Sequence, residues 1–373
     1  MDICEVTKSR LEKEFLEVPK VIYNGDKNWV CPLNVEISSI FDTGKNVFYS
    51  HGEAARWVIR KENKLAGRIA AFINYEKLNG KDIAKGGFGF FESIPDENVA
   101  FALFDQSKKW LSAKGLETME GPINFGENNN YWGLLVDGFT QPAFGMNYNP
   151  PYYQQYFENY GFKPLYEQYT NHFDLTIPLP VRYKKIVERV FSRINYRFEH
   201  IRMDQLPKYI NDIVYVYNKA WVFLEDFREL RYKSVKQQFK QMRSIIDEKL
   251  IWFVYVDDTP AGFMIATPDC NQIIKHFNGK FGLWEKLKFY YLRKIGTMDR
   301  VRVVIMGIIP EFQNRGLESG LIVKMFDTIK AMGRYREGEL SWVGSFNPEM
   351  IAIHKASGAT FGKKHITYRK TFK

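Results

Sequence analysis

At Thr176-Ile177-Pro178-Leu179-Pro180 two prolines fall within three residues, and neither a helix nor a paired strand runs through such a stretch. Proline lacks the amide hydrogen and fixes φ. On both sides of this break the same order of patterns is legible. Before it, Ala54 to Arg60 and Leu65 to Asn74 read as a hairpin turning at Lys61-Glu62-Asn63-Lys64. The run Gly87-Phe88-Gly89-Phe90-Phe91 leads through Pro95 into an amphipathic helix from Asp96 to Ala113. A strand near Glu117 to Asn124, a helix from Pro151 to Tyr160 and a strand from Leu165 to Leu175 complete the first half. After it, helical patterns cover Val181 to Ile194, Leu206 to Trp221 and Tyr232 to Glu248. A hairpin of Leu250 to Val256 and Gly262 to Ala266 follows, then a strand from Val301 to Ile309 and a helix from Gly316 to Ala331. A strand from Glu339 to Val343, a helix from Pro348 to Ser357 and a last strand to Lys370 end the order. Hairpin, strand, helix, strand, helix, strand occurs twice, which predicts an α/β (α+β) chain of two related domains, residues 1–178 and 179–373.

Thirty Phe and 22 Tyr among 373 residues argue for packed cores rather than disorder. Three widely spaced cysteines (Cys4, Cys31, Cys270) suit free thiols and form neither a disulfide framework nor a zinc site, and no His, Cys and Asp cluster has metal spacing. With no leader-like start and no long uncharged apolar run, a cytoplasmic protein without a transmembrane segment is expected. Residues 1–180 hold 18 Lys and Arg against 23 Asp and Glu, and the remainder 35 against 20. That asymmetry points to an anionic partner for the second half: nucleotide, nucleic acid or anionic lipid.

The segment Ile308-Ile309-Pro310-Glu311-Phe312-Gln313-Asn314-Arg315-Gly316-Leu317-Glu318-Ser319-Gly320 joins a β-branched run to a helix whose apolar residues recur at Leu317, Leu321, Met325 and Ile329. A helix start offers unpaired amides and a partial positive charge, and Gly316 leaves room beside them, so the loop can bind an anion or serve only as a turn.

Gln313-Asn314-Arg315-Gly316-Leu317, preceded by Pro310-Glu311-Phe312, resembles the pyrophosphate-loop signature of the GCN5-related N-acetyltransferase (GNAT) superfamily. The resemblance implies two GNAT-like domains, each a mixed, mostly antiparallel sheet flanked by helices. It implies acetyl-CoA or another acyl-CoA as cofactor, held by Ile308, Ile309, Gln313, Asn314, Arg315, Gly316, Leu317, Glu318, Ser319 and Gly320. Glu318 departs from the signature, which has Gly or Ala there. A carboxylate at the first turn complements the helix dipole and would oppose a pyrophosphate.

Asn347-Pro348 to Gly358 has cap, first-turn proline and terminal glycine, so its helix limits are clear. The segment also resembles the one that carries, four residues before the Gly, the Tyr that protonates the leaving thiolate in many members. Here that position is His354, so the resemblance makes His354 and Asn347 the catalytic candidates. Histidine could donate near neutral pH; equally, His354 shares a face with Met350 and Ile351 and could be a core residue. In the first half Phe157 takes the corresponding place and no Gln-x-x-Gly loop occurs, which implies a degenerate domain for substrate binding or support.

Two further stretches stand out. Residues 271–299 interleave cations and rings, among them Lys286, Lys288, Arg293, Phe281, Trp284 and Tyr291. They fit nucleic acid, an anionic membrane or the adenine of CoA, or a helix packing Phe281, Trp284, Leu287 and Tyr291 on its own domain. Asn147 to Tyr156, with Asn128 to Trp132, could line a pocket or simply pack. The expected function is an acyl-CoA-dependent N-acyltransferase acting on a small-molecule or peptide amine. The alternatives are a Fem-like transferase using aminoacyl-tRNA, and a binding protein that has lost catalysis.

Overall fold

The computed structural model describes residues 1–75, 85–126, 130–223, 229–243 and 245–372; Asn128 and Asn129 therefore lie outside the described residues. Strand β1 (Asp2–Glu5) is followed by helices α1 (Ser9–Ile22) and α2 (Asn34–Ile40), and none of the three is read from the sequence. The first hairpin forms as β2 (Gly52–Lys61) and β3 (Lys64–Asn74). Its turn narrows to Glu62-Asn63, both at positive φ (53° and 61°), as the right-handed twist of a two-residue hairpin requires. Then come β4 (Lys85–Ser93), α3 (Glu97–Ala113) with the Asp96 side chain accepting from the Asn98 amide, β5 (Thr118–Gly121) and β6 (Leu134–Asp137). Helix α4 (Tyr153–Tyr160) stops at Gly161, and β7 (Lys163–Asp174) follows.

Beyond the proline break run α5 (Val181–Phe191), β8 (Tyr196–His200), α6 (Leu206–Ala220), α7 (Tyr232–Met242), β9 (Ile251–Val256) and β10 (Thr259–Pro268). Next are α8 (Asn271–Ile274), α9 (Leu283–Lys294), β11 (Arg300–Ile308), α10 (Leu317–Met332), β12 (Glu337–Glu339) and β13 (Val343–Gly344). Helix α11 (Pro348–Ala356) and β14 (Thr360–Thr371) end the order.

Two compact units result, and they are not the two halves 1–178 and 179–373. The first comprises residues 1–169, 273–295 and 363–373, the second residues 170–272 and 296–362. The chain end is the reason for part of this: β14 pairs antiparallel with β5 and with β6, so the last strand completes the first unit's sheet. A strand pattern shows that a segment pairs, not which sheet it joins.

In the first unit the order β1-β2-β3-β4-β5-β14 is antiparallel except between β4 and β5. Trp57, Ile69 and Phe88 meet Leu103, Phe104 and Phe157 on one face, while Val58 and Ala70 meet Phe15, Val18 and Ile37 on the other. The second unit orders β7-β12-β11-β10-β9-β8, again antiparallel except between β11 and β12. Helices α6 and α7 cover one face through Tyr209, Ile213 and Val235, and α5 and α10 the other through Val187, Leu321 and Met325. Among the described residues no helix is long and apolar enough to cross a bilayer.

The end of β10 is tied to the start of β11 by a buried ion pair. Arg300 donates to Asp269 Oδ2 from Nε at 2.8 Å and from Nη2 at 2.6 Å, and Asp269 N donates to Arg300 O at 2.9 Å. Asp269 is fully buried. Removing one partner of such a pair strands the other charge, so Asp269→Ala is expected to lower unfolding free energy by on the order of 3 kcal/mol. Urea titration measures the loss, and an unchanged midpoint would contradict the assignment.

Candidate functional site

Strand β11 is paired on both sides only at its start. Its parallel ladder with β12 covers Arg300, Val301 and Arg302 against Glu337, Gly338 and Glu339. Its antiparallel ladder with β10 continues to Ile308, interrupted by one bulged residue between Val303 and Ile305. Past Arg302 the strand therefore keeps one neighbour, and Val304, Ile305, Met306 and Gly307 become half-buried after a fully buried beginning. A strand edge opened inside a sheet presents backbone donors and acceptors to whatever enters the gap.

The gap leads straight into the loop. Ile308 and Ile309 are buried, and Ile309 N donates to Ala261 O at 2.9 Å. Pro310 to Phe312 form one 3-10 turn, and Gln313 reaches back from Nε2 to Ile308 O at 3.1 Å. Asn314 lies at φ 59°, and Gly316 at φ 80° is the N-cap of α10, a glycine that brings no capping side chain of its own. A side chain at Gly316 would be strained by that φ, and its Cβ would lie 2.8 Å from Val190 of α5. Gln313, Asn314 and Arg315 are exposed, whereas Leu317, Glu318 and Gly320 are buried and Ser319 is half-buried. These cofactor-loop candidates are thus brought together on one short turn at a helix start.

Glu318 is the exception to an anion-receptive loop. Burial pushes its carboxyl above the ordinary carboxylate range, a hydrogen bond from its own backbone amide draws it back, and Glu349 on α11 repels it. The carboxylate thus occupies one amide of the helix start itself.

Neither catalytic candidate has the surroundings of a proton donor. Asn347 caps α11, accepting from Met350 N at 3.1 Å. His354 is buried, with its Nδ1 3.0 Å from Asn171 Nδ2, and Ser357 Oγ donates to its carbonyl at 2.7 Å. Burial lowers its pKa to about 4, so at neutral pH the ring is uncharged and has no readily released proton. The loop of Asn147 to Tyr156 spends its polar groups on its own scaffold. Asn149 bridges both backbone groups of Leu135, Asn147 Nδ2 donates to Gly133 O, and Tyr152 and Tyr153 donate to Ser93 O.

One wall of the gap was not foreseen. Trp221, stacked on Tyr217 at 4.8 Å, lies over Gly307, where a Cβ would come within 2.0 Å of the indole. A glycine inside an apolar strand is the sequence signal for such a close approach. In the first unit the corresponding parallel ladder, Lys85 to Gly87 with Thr118 to Glu120, also ends after three pairs. There the returning chain closes the gap, because Ile123 N donates to Phe88 O at 2.8 Å.

No family model matches the sequence. Protein YghO of Escherichia coli (strain K12) is 25% identical over 367 residues, 96% of this chain and 92% of that protein. A bacterial ceramide synthase of Caulobacter vibrioides (strain NA1000 / CB15N) is 26% identical over 367 residues, 96% and 94% of the two chains. Among solved structures, a tandem GNAT protein from the clavulanic acid biosynthesis pathway matches 100% of this chain with 99% of its own, at a TM-score of 0.59 and 11% identity. The chain has the tandem GNAT fold. A GCN5-related N-acetyltransferase from Sphaerobacter thermophilus (TM-score 0.55, 10% identity, 100% and 96% covered) shares it. So does the glucosamine N-acetyltransferase region of a fungal GH3 β-N-acetylglucosaminidase (TM-score 0.60, 12% identity, 99% and 38% covered). Within the tandem GNAT fold, the parted strand and the following loop sit in the second unit.

His354 and His365, the latter buried with Nε2 3.1 Å from Asn147 O, both have pKa values lowered to about 4 by burial, against an ordinary 6.5. A depressed histidine pKa adds stability that is present above pH 6.5 and lost as pH falls toward 4, because unfolding then takes up protons. Each ring contributes on the order of 3 kcal/mol across that window. Urea unfolding at pH 7.5 and pH 5 should show a smaller pH dependence in His354→Gln than in the unaltered protein. Equal dependence would mean that His354 titrates normally.

Proposed function

We propose that the chain is an N-acyltransferase that forms an amide from an acyl-CoA and an amine, with the cofactor loop in the second unit. The half-buried edge of β11, opened where β12 stops and running into the α10 N-terminus, carries this reading. The acceptor we infer is a long-chain amino alcohol. A ceramide is the amide of such an amine, and a relative along nearly the whole chain is named as a ceramide synthase.

The residues fit the coenzyme in part. Gln313, Asn314 and Arg315, with the amides that open α10, would hold its phosphates. Arg182, Lys185 and Arg189 line a shallow depression on α5, the helix that packs beside Gly316, and add positive potential. Glu318 opposes the fit by its charge. When bound, the coenzyme supplies the acyl group as an activated thioester. The backbone of Val304 to Gly307 would align the acyl arm and donate to oxygen charge developing at the carbonyl, while Trp221 and Tyr217 wall an apolar approach for the amine. His354, neutral and held by Asn171, takes no part; the proton lost by the amine and gained by the thiol passes through water. The closed gap beside Phe88 makes the first unit a scaffold without a coenzyme of its own.

Calorimetric titration with acetyl-CoA tests the loop, and mass spectrometry of an incubation with acyl-CoA and sphinganine tests the reaction. Binding in the micromolar range is expected. Arg315→Ala should weaken it about tenfold through loss of one charge-assisted contact, and Glu318→Gln should strengthen it severalfold. Binding by Glu318→Gln alone would mark a loop closed by its own carboxylate, and absence of binding in both proteins would overturn the cofactor assignment. A salt-sensitive complex with tRNA in place of CoA would instead favour an aminoacyl-tRNA transferase.

A further inference from the structure

Helix α9 turns its apolar stripe away from the protein. Leu283, Trp284, Leu287, Tyr290, Tyr291 and Ile295 recur at three- and four-residue spacing, the pattern of a buried helix face. Yet Leu283 is 71% exposed, Trp284 79%, Leu287 53% and Tyr291 63%. On the opposite side Phe289 is buried, and Phe281, beside Phe277, meets it edge-on at 6.3 Å. The orientation is fixed from the preceding turn: Asn34 N donates to Gly279 O at 2.8 Å, Gly279 packs against Asn34 and Cys31, and Gly282 N donates to Glu285 Oε2 at 2.8 Å. Of the alternative in which Phe281, Trp284, Leu287 and Tyr291 pack on their own domain, only the Phe281 contact is formed. At about 100° per residue, Lys286 and Arg293 border the stripe on one side and Lys288 on the other, with Lys294 within it. Among the described residues none of these four cations is paired with a carboxylate.

We propose that α9 is a membrane-docking helix that lies in the interface of an anionic phospholipid bilayer, its stripe among the upper acyl chains and its flanking cations at the phosphates. Aliphatic and aromatic residues mixed on one convex face, with basic residues at both borders, match the demands of that interface. A single-stranded nucleic acid would be met by rings lining a groove, and Leu283, Leu287 and Ile295 offer a base nothing to stack on. Two copies paired through this face would bring Lys294 and the flanking cations of both together. The proposal stands on α9 alone and does not require the acyltransfer reading.

Co-sedimentation of the full chain with vesicles of phosphatidylcholine, with and without about one-third phosphatidylglycerol, tests it. Binding to the anionic vesicles is expected, at least about tenfold stronger than to neutral ones. The double variant Trp284→Asp/Leu287→Asp should lose at least tenfold of that affinity at an unchanged melting temperature. Lys286→Gln/Lys288→Gln/Arg293→Gln should bind more weakly and with less salt dependence. Brominated lipid should quench tryptophan emission in the unaltered protein, and less in Trp284→Phe, which keeps binding. No vesicle binding, or binding indifferent to the double aspartate variant, would overturn the proposal. So would a stripe-dependent dimer in sedimentation velocity, or displacement of the protein from vesicles by an RNA that the same aspartates release.

Discussion

A strand inside a sheet has two edges to satisfy, and β11 satisfies both for only three residues. The antiparallel ladder with β10 holds one side to Ile308, and the Arg300–Asp269 pair fixes where that ladder begins. On the other side β12 ends at Glu339, so the backbone from Val303 onward needs another partner. Everything attributed to the second unit follows from this mismatch in strand length. The opened edge points its polar groups into a gap, the chain leaves it through a tight turn, and α10 begins with its amides facing the same region.

The first unit meets the same mismatch and resolves it differently. Its helix α3 starts at an ordinary side-chain cap, Asp96, and its gap is taken up by the returning backbone at Ile123. Backbone closes a backbone gap without exposing any polar group, at the expense of any room for a ligand. Among the described residues of the second unit no such return occurs beside Val304 to Gly307, and Glu318 brings a carboxylate to the first turn of α10. Burial raises that carboxyl, which makes it a weaker competitor for the helix start than an ordinary carboxylate would be. The site is thus poised between an internal anion and an external one.

Local chemistry was legible in the sequence, and non-local pairing was not. Gly161, Gly316 and the Asn347-Pro348 cap announced their helix ends within a residue or two, and Glu62-Asn63 announced a hairpin. These signals work because the deciding atoms are neighbours in sequence. The parting of β11 from β12 depends on register over 37 residues, and the seating of the buried His354 on Asn171, 183 residues away. The destination of β14 was hidden for the same reason. Helix α1 carries a regular stripe of Leu11, Phe15, Val18 and Ile22, but Pro19 inside it reads locally as a helix break.

Amphipathicity itself illustrates the limit. The apolar residues of α9 recur at the same three- and four-residue spacing as those of α6, and spacing alone does not say which way either stripe turns. What differs is the rest of the wheel. On α6 the side away from the apolar stripe carries charges of both signs, and Lys208 and Asp212 are satisfied within the unit, Lys208 donating to Glu199 and Tyr255 OH donating to Asp212. On α9 the residues bordering the stripe are almost all cationic, and the inward side needs little more than Phe289 to seat the helix. A stripe that packs inward tolerates bordering cations, as α5 does beside Arg182 and Lys184, because their long side chains reach water. A stripe that packs on an anionic surface gains from each of them, and on α9 the exposure of the stripe and the charge around it agree.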